Sequence, residues 1–290
     1  MNIRTRACVL HRMIWLSRIL IAGILATLLG VLHYYSPLQL ASVVPYAGII
    51  LVITGLICLI RPLKTIFVRN RRAAACLLAV GFFGAGLALF WPASTTTISE
   101  RRSLLDEAMP EYEFLEHHQI RVHAPLSRAY SALQAVTPDE LAAYPILMKV
   151  RNAAMGRSWS KPTSPSPSII AIFSDPRSGY MLIEKNEREM VFGGLGRVRS
   201  TKGDKPPLSS PAAFASFHQP GWVKVAFNLK VDDAGNGWTT VSTETRLHAL
   251  DAGSLRATAV YWRLIYPGSG MLRTMWLQAA RNRAERGVFS

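Results

Sequence analysis

The first 92 residues constrain the fold most, because they contain no aspartate or glutamate. Three long apolar runs fill this region, at about 14–35, 39–60 and 73–91. A run of about 20 apolar residues is long enough to cross a hydrocarbon core of roughly 30 Å as an α-helix. Core helices of a soluble domain are a poor explanation for three such runs in succession. The sequence therefore predicts a membrane region, residues 1–92, with three transmembrane helices.

A cleaved signal peptide is the alternative for the first run. No Ala-x-Ala-like processing site is evident after it, and two further apolar runs follow. The third run carries Gly81, Gly84 and Gly86, which are candidate positions for close helix packing. These features favour a multi-pass membrane protein over a secreted one.

Basic residues predict the orientation in the membrane. The N-terminus is basic, and the connection between the second and third runs carries five basic residues, Arg61, Lys64, Arg69, Arg71 and Arg72. Lysine and arginine are enriched on the cytoplasmic side of membrane proteins. With three spans, the N-terminus would be cytoplasmic and everything after Pro92 would be periplasmic or extracellular. The predicted location is the cell membrane.

The high net charge does not indicate a nucleic-acid partner. The formal net charge of +15 divides into +9 on residues 1–92 and +6 on the remainder. A nucleic-acid-binding surface needs a dense basic patch, and the second part of the chain has none. Its partners are instead predicted to be the lipid bilayer and an apolar small molecule or lipid.

Residues 222–286 carry the clearest pattern in the rest of the chain. An alternating strand from Trp222 is followed by a turn at 232–237 and a second strand that ends at Ala249. Asp251 can cap a helix that runs to about Arg286, with an interruption at Pro267. The strand places five apolar residues on one face, Val223, Val225, Phe227, Leu229 and Val231. A hairpin and helix with apolar faces are expected to pack on each other.

The preceding residues complete an α+β layout. After a linker at 93–111, the pattern predicts a strand at 114–123 and helices at about 126–136 and 138–150. Four further strands are predicted at 169–174, 180–184, 189–193 and 214–217. Sequential strands of this kind form an antiparallel meander. The meander is expected to curl around the final helix.

Two segments resemble those of a known superfamily. The first is His118-Gln119-Ile120-Arg121-Val122-His123-Ala124-Pro125, followed by Tyr130, and the second is Thr243-Glu244-Thr245-Arg246. Together with the element order, they resemble the START-like, birch-pollen-allergen-like superfamily, also called SRPBCC. It includes polyketide cyclases/dehydrases and lipid-transfer proteins. The resemblance covers residues 112–286, within a domain predicted at 112–290.

The resemblance implies a helix-grip fold, in which a curved antiparallel sheet surrounds a long C-terminal helix. It also implies a hydrophobic cavity between them that binds lipids, sterols or polyketides. The predicted fold class is therefore α+β, helix-grip, preceded by three transmembrane α-helices. The membrane region lies outside the part of the chain that resembles the superfamily. The free diffusion of a soluble carrier between membranes is therefore not expected of this protein.

No residue pattern predicts catalysis, a metal or a cofactor. His117 and His123 share a strand face but lie roughly 20 Å apart at the usual rise per residue, which is too far for one metal ion. The glycines at 193–196 lack the lysine and hydroxyl residue of a phosphate loop. A bulge or tight turn at a sheet edge explains them better. The three cysteines all precede residue 92, which leaves the rest of the chain without a disulfide or cysteine nucleophile.

Apolar side chains are the remaining candidates for a binding site, with Glu244 as a polar residue that could orient a ligand or pair with Arg246. The predicted cavity lining is Tyr130, Tyr180, Phe192, Phe214, Val225, Phe227, Leu229, Glu244, Trp262, Met271 and Met275. The predicted function is non-catalytic, membrane-anchored binding of a hydrophobic ligand. One alternative is a cyclase/dehydrase-type enzyme that uses His118 or Glu244, and another is a structural or signalling protein with a filled core.

Overall fold

A computed structural model divides the chain into two compact units, Met1–Trp91 and Pro92–Ser290. The structure describes residues 15, 30, 40–63, 68, 70–154, 158, 165–197 and 208–286.

The first unit contains two long apolar helices, α1 at Leu40–Ile60 and α2 at Arg71–Leu89. Both satisfy the length and composition of a membrane-crossing helix. Helix α2 begins after Asn70, whose side-chain oxygen accepts a hydrogen bond from the Ala73 N–H at 2.8 Å. This cap satisfies one of the amide groups that a helix start leaves without a partner.

The prediction of three transmembrane helices is wrong, because the described residues contain two candidate helices. The first predicted run, about 14–35, lies outside the described residues except for Trp15 and Gly30. An apolar composition is compatible with a membrane-crossing segment but does not by itself determine that the segment forms a helix. Helices α1 and α2 are fixed in addition by close contact with each other.

Glycines bring α1 and α2 together. A Cβ atom on Gly81 would lie 2.7 Å from the carbonyl oxygen of Gly48, and one on Gly55 would lie 2.8 Å from the Cβ of Leu78. Gly84 and Gly86, in contrast, have nothing within 4 Å of a Cβ placed on them. Of the three glycines predicted to allow close packing, only Gly81 has this role.

The second unit begins with a two-stranded ladder that joins β1 at Thr96–Thr97 to β2 at Glu111–Tyr112. A five-stranded sheet with strand order β3-β7-β6-β5-β4 follows, and every neighbouring pair is antiparallel. Its strands are β3 at Phe114–Val122, β4 at Tyr180–Lys185, β5 at Glu189–Gly196, β6 at Val223–Asp233 and β7 at Thr239–Ala249. The first strand thus lies beside the last one.

Helices cover both faces of this sheet. They are α3 at Leu104–Ala108, α4 at Leu126–Ala135, α5 at Tyr144–Ala154, α6 at Ile169–Ser174, α7 at Pro211–Ala215 and α8 at Ala252–Glu285. Short 3-10 turns occur at Pro138–Glu140 and Pro176–Ser178. We call the face that α8 covers the inner face, and the face against α3 and α7 the outer face.

The predicted α+β layout with an antiparallel sheet and a long C-terminal helix is confirmed. Strands β6 and β7 are adjacent and antiparallel, with Val231 opposite Val241. Their turn places Gly235, Asn236 and Gly237 at positive φ angles of 74°, 53° and 77°. Helix α8 lies against β3, β6 and β7, as expected from the apolar faces of both elements.

Three local predictions are wrong. Residues 169–174 and 214–217 were predicted as strands, but the first segment is α6 and the second begins inside α7. Serine caps explain both, because Ser168 and Ser210 accept hydrogen bonds from the amides three residues further on. Pro267 does not interrupt α8, which is continuous from Ala252–Glu285. The helix packs on the sheet on both sides of this proline, through Trp262 and through Leu277.

The glycine contact between α1 and α2 can be tested through Cys58, which is fully buried beside Val68 and Ala74. We expect Gly81→Leu to push the helices apart, because overpacking of this kind costs about 1–3 kcal/mol. The maleimide reactivity of Cys58, measured by peptide mass spectrometry of the full-length protein in mild detergent, should then rise. Gly84→Leu is the matched control and should leave Cys58 protected. Equal protection in both variants would contradict the glycine contact.

Candidate functional site

The inner face of the sheet carries polar residues at its centre, directly beneath α8. Strand alternation places Glu116 and His118 of β3 on this face, opposite Thr245 and Thr243 of β7. All four side chains are buried. Apolar clusters lie on either side, one around Phe227 and Leu277 and the other around Trp262 and Leu247. A polar band therefore crosses an otherwise apolar interface between sheet and helix.

Glu116 is the charged centre of this band and is only 1% exposed. One of its oxygens accepts a hydrogen bond from Ser269 Oγ of α8 at 2.5 Å. The other lies 3.0 Å from His118 Nε2, a distance at which the ring nitrogen donates to a carboxylate. Burial also raises the pKa of the neighbouring Tyr266 phenol to about 12, and the charge of Glu116 adds to this effect. These contacts tie α8 to β3 through a buried carboxylate.

Arg273 lies one helical turn beyond Ser269 and also faces the sheet. Its Nη1 donates to Thr243 Oγ1 at 3.2 Å, and its guanidinium carbon lies 4.4 Å from the centre of the Phe227 ring and 5.7 Å from that of Trp276. Among the described residues it has no carboxylate within ion-pair distance. Burial lowers the pKa of the guanidinium, and the opposing effects of Glu116 and Tyr180 do not offset this. The free-energy cost of desolvating the Arg273 charge is therefore not recovered by contacts with the described residues.

A second arginine and a group of tyrosines lie on the same side of the sheet. Arg151 of α5 hydrogen-bonds to Tyr261 of α8 and interacts electrostatically with Tyr180 of β4 and with Tyr144. Burial raises the pKa of Tyr180, while the charges of Arg151 and Arg273 act against it. We call Arg151, Tyr180, Tyr261 and Arg273 the arginine–tyrosine group.

We infer from the accessibility of its side chains that this group borders a recess rather than a closed core. Tyr180 and Arg273 lie deep among protein atoms. Both nevertheless retain accessible surface, as Tyr261 does, and Arg151 is exposed. Side chains that are deep in a domain and still accessible border an internal space or a cleft.

Aromatic side chains form the wall next to Arg273. Phe173 of α6 lies 4.7 Å from Phe227, 5.1 Å from Tyr180 and 6.4 Å from Trp276, measured between ring centres. Gly194 allows this arrangement, because a Cβ there would lie 2.9 Å from the Tyr180 ring. The glycine-rich segment therefore makes room for an aromatic side chain on the inner face.

Thr245 adds a polar atom without a partner. Its Oγ1 atom is buried and makes no hydrogen bond in the described part of the chain. The residue is 5% exposed and lies between Glu116 and Phe227 in the sheet register. A buried hydroxyl without a partner costs about 1–3 kcal/mol.

Polar residues on the outer face have a different role. Arg246 donates to Asp106 of α3 at 2.6 Å, to Glu244 at 2.6 Å and to the carbonyl of Met109 at 2.9 Å. Burial raises the pKa of Asp106, but hydrogen bonds from Arg246, Arg102 and Ser103 outweigh it and lower the pKa overall. These contacts hold α3 on the sheet.

A second buried group completes this attachment. Glu189 accepts hydrogen bonds from the Leu104 amide at 2.9 Å and from Asn228 Nδ2 at 2.7 Å. The outer-face network is internally satisfied and leaves little for a ligand to bind.

The residues predicted to line a cavity are distributed over both faces. The first inner-face cluster contains Tyr130, Phe192, Phe227 and Leu229, with Tyr180 and Met275 packed against it. Val225 and Trp262 belong to the second inner-face cluster, and Met271 is half-buried on α8. Phe214 packs on the outer face with Trp222, and Glu244 pairs there with Arg246. The structure thus brings together most of the apolar residues but separates them from Phe214 and Glu244.

Sequence reasoning missed the polar part of the site, namely Glu116, Arg151, Ser269 and Arg273. The signal was present in β3, because Glu116 and His118 occupy positions that alternate with exposed residues and continue the apolar face of Phe114 and Ile120. For Arg273, the spacing of seven residues from Tyr266 and of three from Trp276 places it on the buried stripe of α8.

Metal coordination is not supported by the described part of the chain, which contains no group of three histidine, cysteine or acidic residues placed to hold an ion. His118 contacts Glu116, whereas His123 lies against Trp238 with the ring centres 4.9 Å apart. The histidines therefore do not converge.

Two buried arginines on opposite faces should respond differently to replacement by methionine. We expect Arg246→Met to cost about 3–5 kcal/mol of unfolding free energy, because it leaves Asp106 buried without its cation. Arg273→Met should change this free energy by less than about 1 kcal/mol, since relief of desolvation offsets the lost cation–π contacts. Urea unfolding of the full-length protein in mild detergent measures both. A loss at Arg273 as large as at Arg246 would show that its charge is structurally required.

No family model and no curated protein matches this chain. Among solved structures, it is similar to a hypothetical protein from Helicobacter pylori, at 11% sequence identity and a TM-score of 0.30. The match covers 65% of this chain and 98% of that one. A similarity of this size carries no argument about function.

Proposed function

We propose that the second unit binds a hydrophobic, lipid-like ligand between the inner face of its sheet and α8, and that it does so without catalysis. The observation that carries this proposal is the aromatic wall around Arg273, in which Phe227 and Trp276 are buried and Phe173 and Tyr180 remain partly accessible. Aromatic and apolar side chains with a few convergent polar groups are typical of small-molecule sites. A core filled by its own apolar side chains would gain no stability from a desolvated arginine at its centre.

The element order also supports kinship with the START-like superfamily. Strand β3 and helices α4 and α5 precede the remaining sheet strands, and the long helix α8 ends the fold on the inner face. Proteins of this superfamily bind lipids and other apolar molecules between sheet and helix. The location proposed for the ligand is the same.

We further propose that the protein is an integral membrane protein of the cell membrane, with α1 and α2 in the bilayer. Three basic residues lie between these helices, Arg61, Lys64 and Arg69, and two begin α2, Arg71 and Arg72. They favour a cytoplasmic position for that loop. A single crossing by α2 then places the second unit on the periplasmic or extracellular side.

An acid–base enzyme is the second candidate, and the contact between His118 and Glu116 is the observation that favours it. Both are buried at the inner face, and a histidine oriented by a carboxylate is a common arrangement for proton transfer. Glu244 lies on the outer face and would take no part.

Alkaline phosphatase fusions in a bacterial host test the proposed orientation. We expect a fusion to the full-length C-terminus to be active and a fusion after Val68 to be inactive, because the enzyme matures only outside the cytoplasm. The reverse pattern would place the second unit in the cytoplasm. Immunoblotting controls for the amount of each fusion.

Photolabelling tests the ligand site in the full-length protein, reconstituted in lipid nanodiscs. A diazirine-bearing fatty acid should label peptides that contain Phe173, Phe227 or Trp276, in addition to α1 and α2. Phe173→Ala should reduce the inner-face labelling about tenfold, since burial of a phenylalanine contributes about 1.5–3 kcal/mol.

The matched control is Phe217→Ala, which removes a half-buried phenylalanine from the outer-face cluster and should leave the labelling unchanged. Labels confined to α1 and α2 in the wild-type protein would contradict the proposal. Labelling that falls equally in both variants would indicate loss of folding rather than loss of a binding wall.

A further inference from the structure

The arginine–tyrosine group indicates what kind of hydrophobic molecule the site accepts. We propose that the ligand is an amphiphile with an anionic group, a carboxylate or a phosphate ester, and that Arg273 and Arg151 bind this group. The inference rests on the proposed function, because it assigns the head group of a ligand whose apolar part would lie against the aromatic wall.

The charge balance on the inner face is the first argument. Arg151 and Arg273 place two guanidinium groups there, against the single carboxylate of Glu116. Glu116 directs its two oxygens to His118 and Ser269 and makes no hydrogen bond to either arginine. Within the described residues, neither arginine belongs to an ion pair. The recess therefore has an excess of positive charge without a counterion.

The contrast with the outer face is the second argument. The buried Arg246 has two carboxylates and a carbonyl oxygen as acceptors, whereas the described residues give Arg273 one threonine hydroxyl. A guanidinium has five N–H donors, so most of the donors of Arg273 remain available. The fold thus supplies acceptors for the N–H donors of Arg246, which holds α3. It leaves most donors of Arg273, which faces the recess, without an acceptor among the described residues.

Hydrogen-bonding capacity next to Arg273 is the third argument. Thr243 Oγ1 accepts from Arg273 and donates to the Asn228 carbonyl at 2.7 Å, which fixes the position of the guanidinium. The Thr245 hydroxyl, two residues further along β7, is buried and makes no hydrogen bond within the described part of the chain. Tyr180 adds a phenol whose pKa burial raises and the charges of both arginines lower. These donors suit a group with several acceptor oxygens.

The apolar surroundings decide between a free anion and an amphiphile. A small inorganic anion would leave the partly accessible surface of Phe173 and Tyr180 uncovered. A chain attached to the anionic group would cover that surface. The acceptor group at Arg273 and the apolar wall beside it therefore fit one molecule.

The test compares two photoactivatable probes with the same chain, a diazirine fatty acid and its uncharged methyl ester, on the full-length protein in nanodiscs at mildly alkaline pH. We expect the acid to label inner-face peptides about tenfold more efficiently than the ester, the effect of one charge-assisted hydrogen bond. Arg273→Gln and Arg151→Gln should each reduce this preference, and Arg273→Lys should retain part of it. The control is Arg281→Gln, on the exposed pair of Arg281 with Glu285, and it should keep the full preference.

The outcomes separate this inference from the proposed function. Equal inner-face labelling by the acid and the ester would overturn the anionic head group and leave the hydrophobic site intact. Absence of inner-face labelling by both probes would overturn the proposed function itself. A preference for the acid that survives in both glutamine variants would overturn the role of the two arginines. Displacement of the acid by excess inorganic phosphate alone, without loss of ester labelling, would show a free anion rather than an amphiphile.

Discussion

The packing of α8 on the inner face of the sheet is the interaction on which the rest of the second unit depends. Two apolar clusters, one around Phe227 and Leu277 and one around Trp262 and Leu247, hold the helix at both ends. Burial of these apolar side chains stabilises the fold by roughly 25 cal/mol per Å² and offsets the free-energy cost of burying the polar band between them. Because the helix is fixed on either side, its middle can carry Ser269 and Arg273 over a buried carboxylate.

The two faces of one sheet therefore have separate tasks. Outer-face charges such as Arg246 and Asp106 form hydrogen-bonded networks that attach α3, and Arg246 finds both carboxylate and carbonyl acceptors there. Inner-face charges are incompletely paired, and Arg273 retains its charge at the cost of desolvation. Strongly perturbed charged groups cluster at functional sites, and structural ion-pair networks also produce them. Strand alternation makes this separation possible, since Thr245 and Arg246 are adjacent in sequence but point to opposite faces.

In the first unit, too, tertiary contacts decide what the sequence pattern leaves open. By composition, α1 and α2 are candidates for crossing a bilayer. Among their described glycines, Gly48, Gly55 and Gly81 lie where the two helices are in close contact. A Cβ atom on Gly84 or Gly86 would have no neighbour within 4 Å. A glycine in an apolar run can face a partner or face lipid, and the run alone does not tell which. The strands wrongly predicted at 169–174 and 214–217 have a similar cause, because Ser168 and Ser210 cap helices whose apolar residues have equal strand propensity.

By itself, the sequence determined the hairpin of β6 and β7, the long C-terminal helix and the apolar inner face, because the period of alternation and the capping residue Asp251 are local features. Only the tertiary structure decided which charges meet. Glu116 and Ser269 form a hydrogen bond although they are 153 positions apart in the chain, and Arg246 and Asp106 do so across 140 positions. Such pairs are created by the register of strands and the position of a helix over them. No local pattern can specify these contacts, and the polar half of the site consequently appeared only in the folded chain.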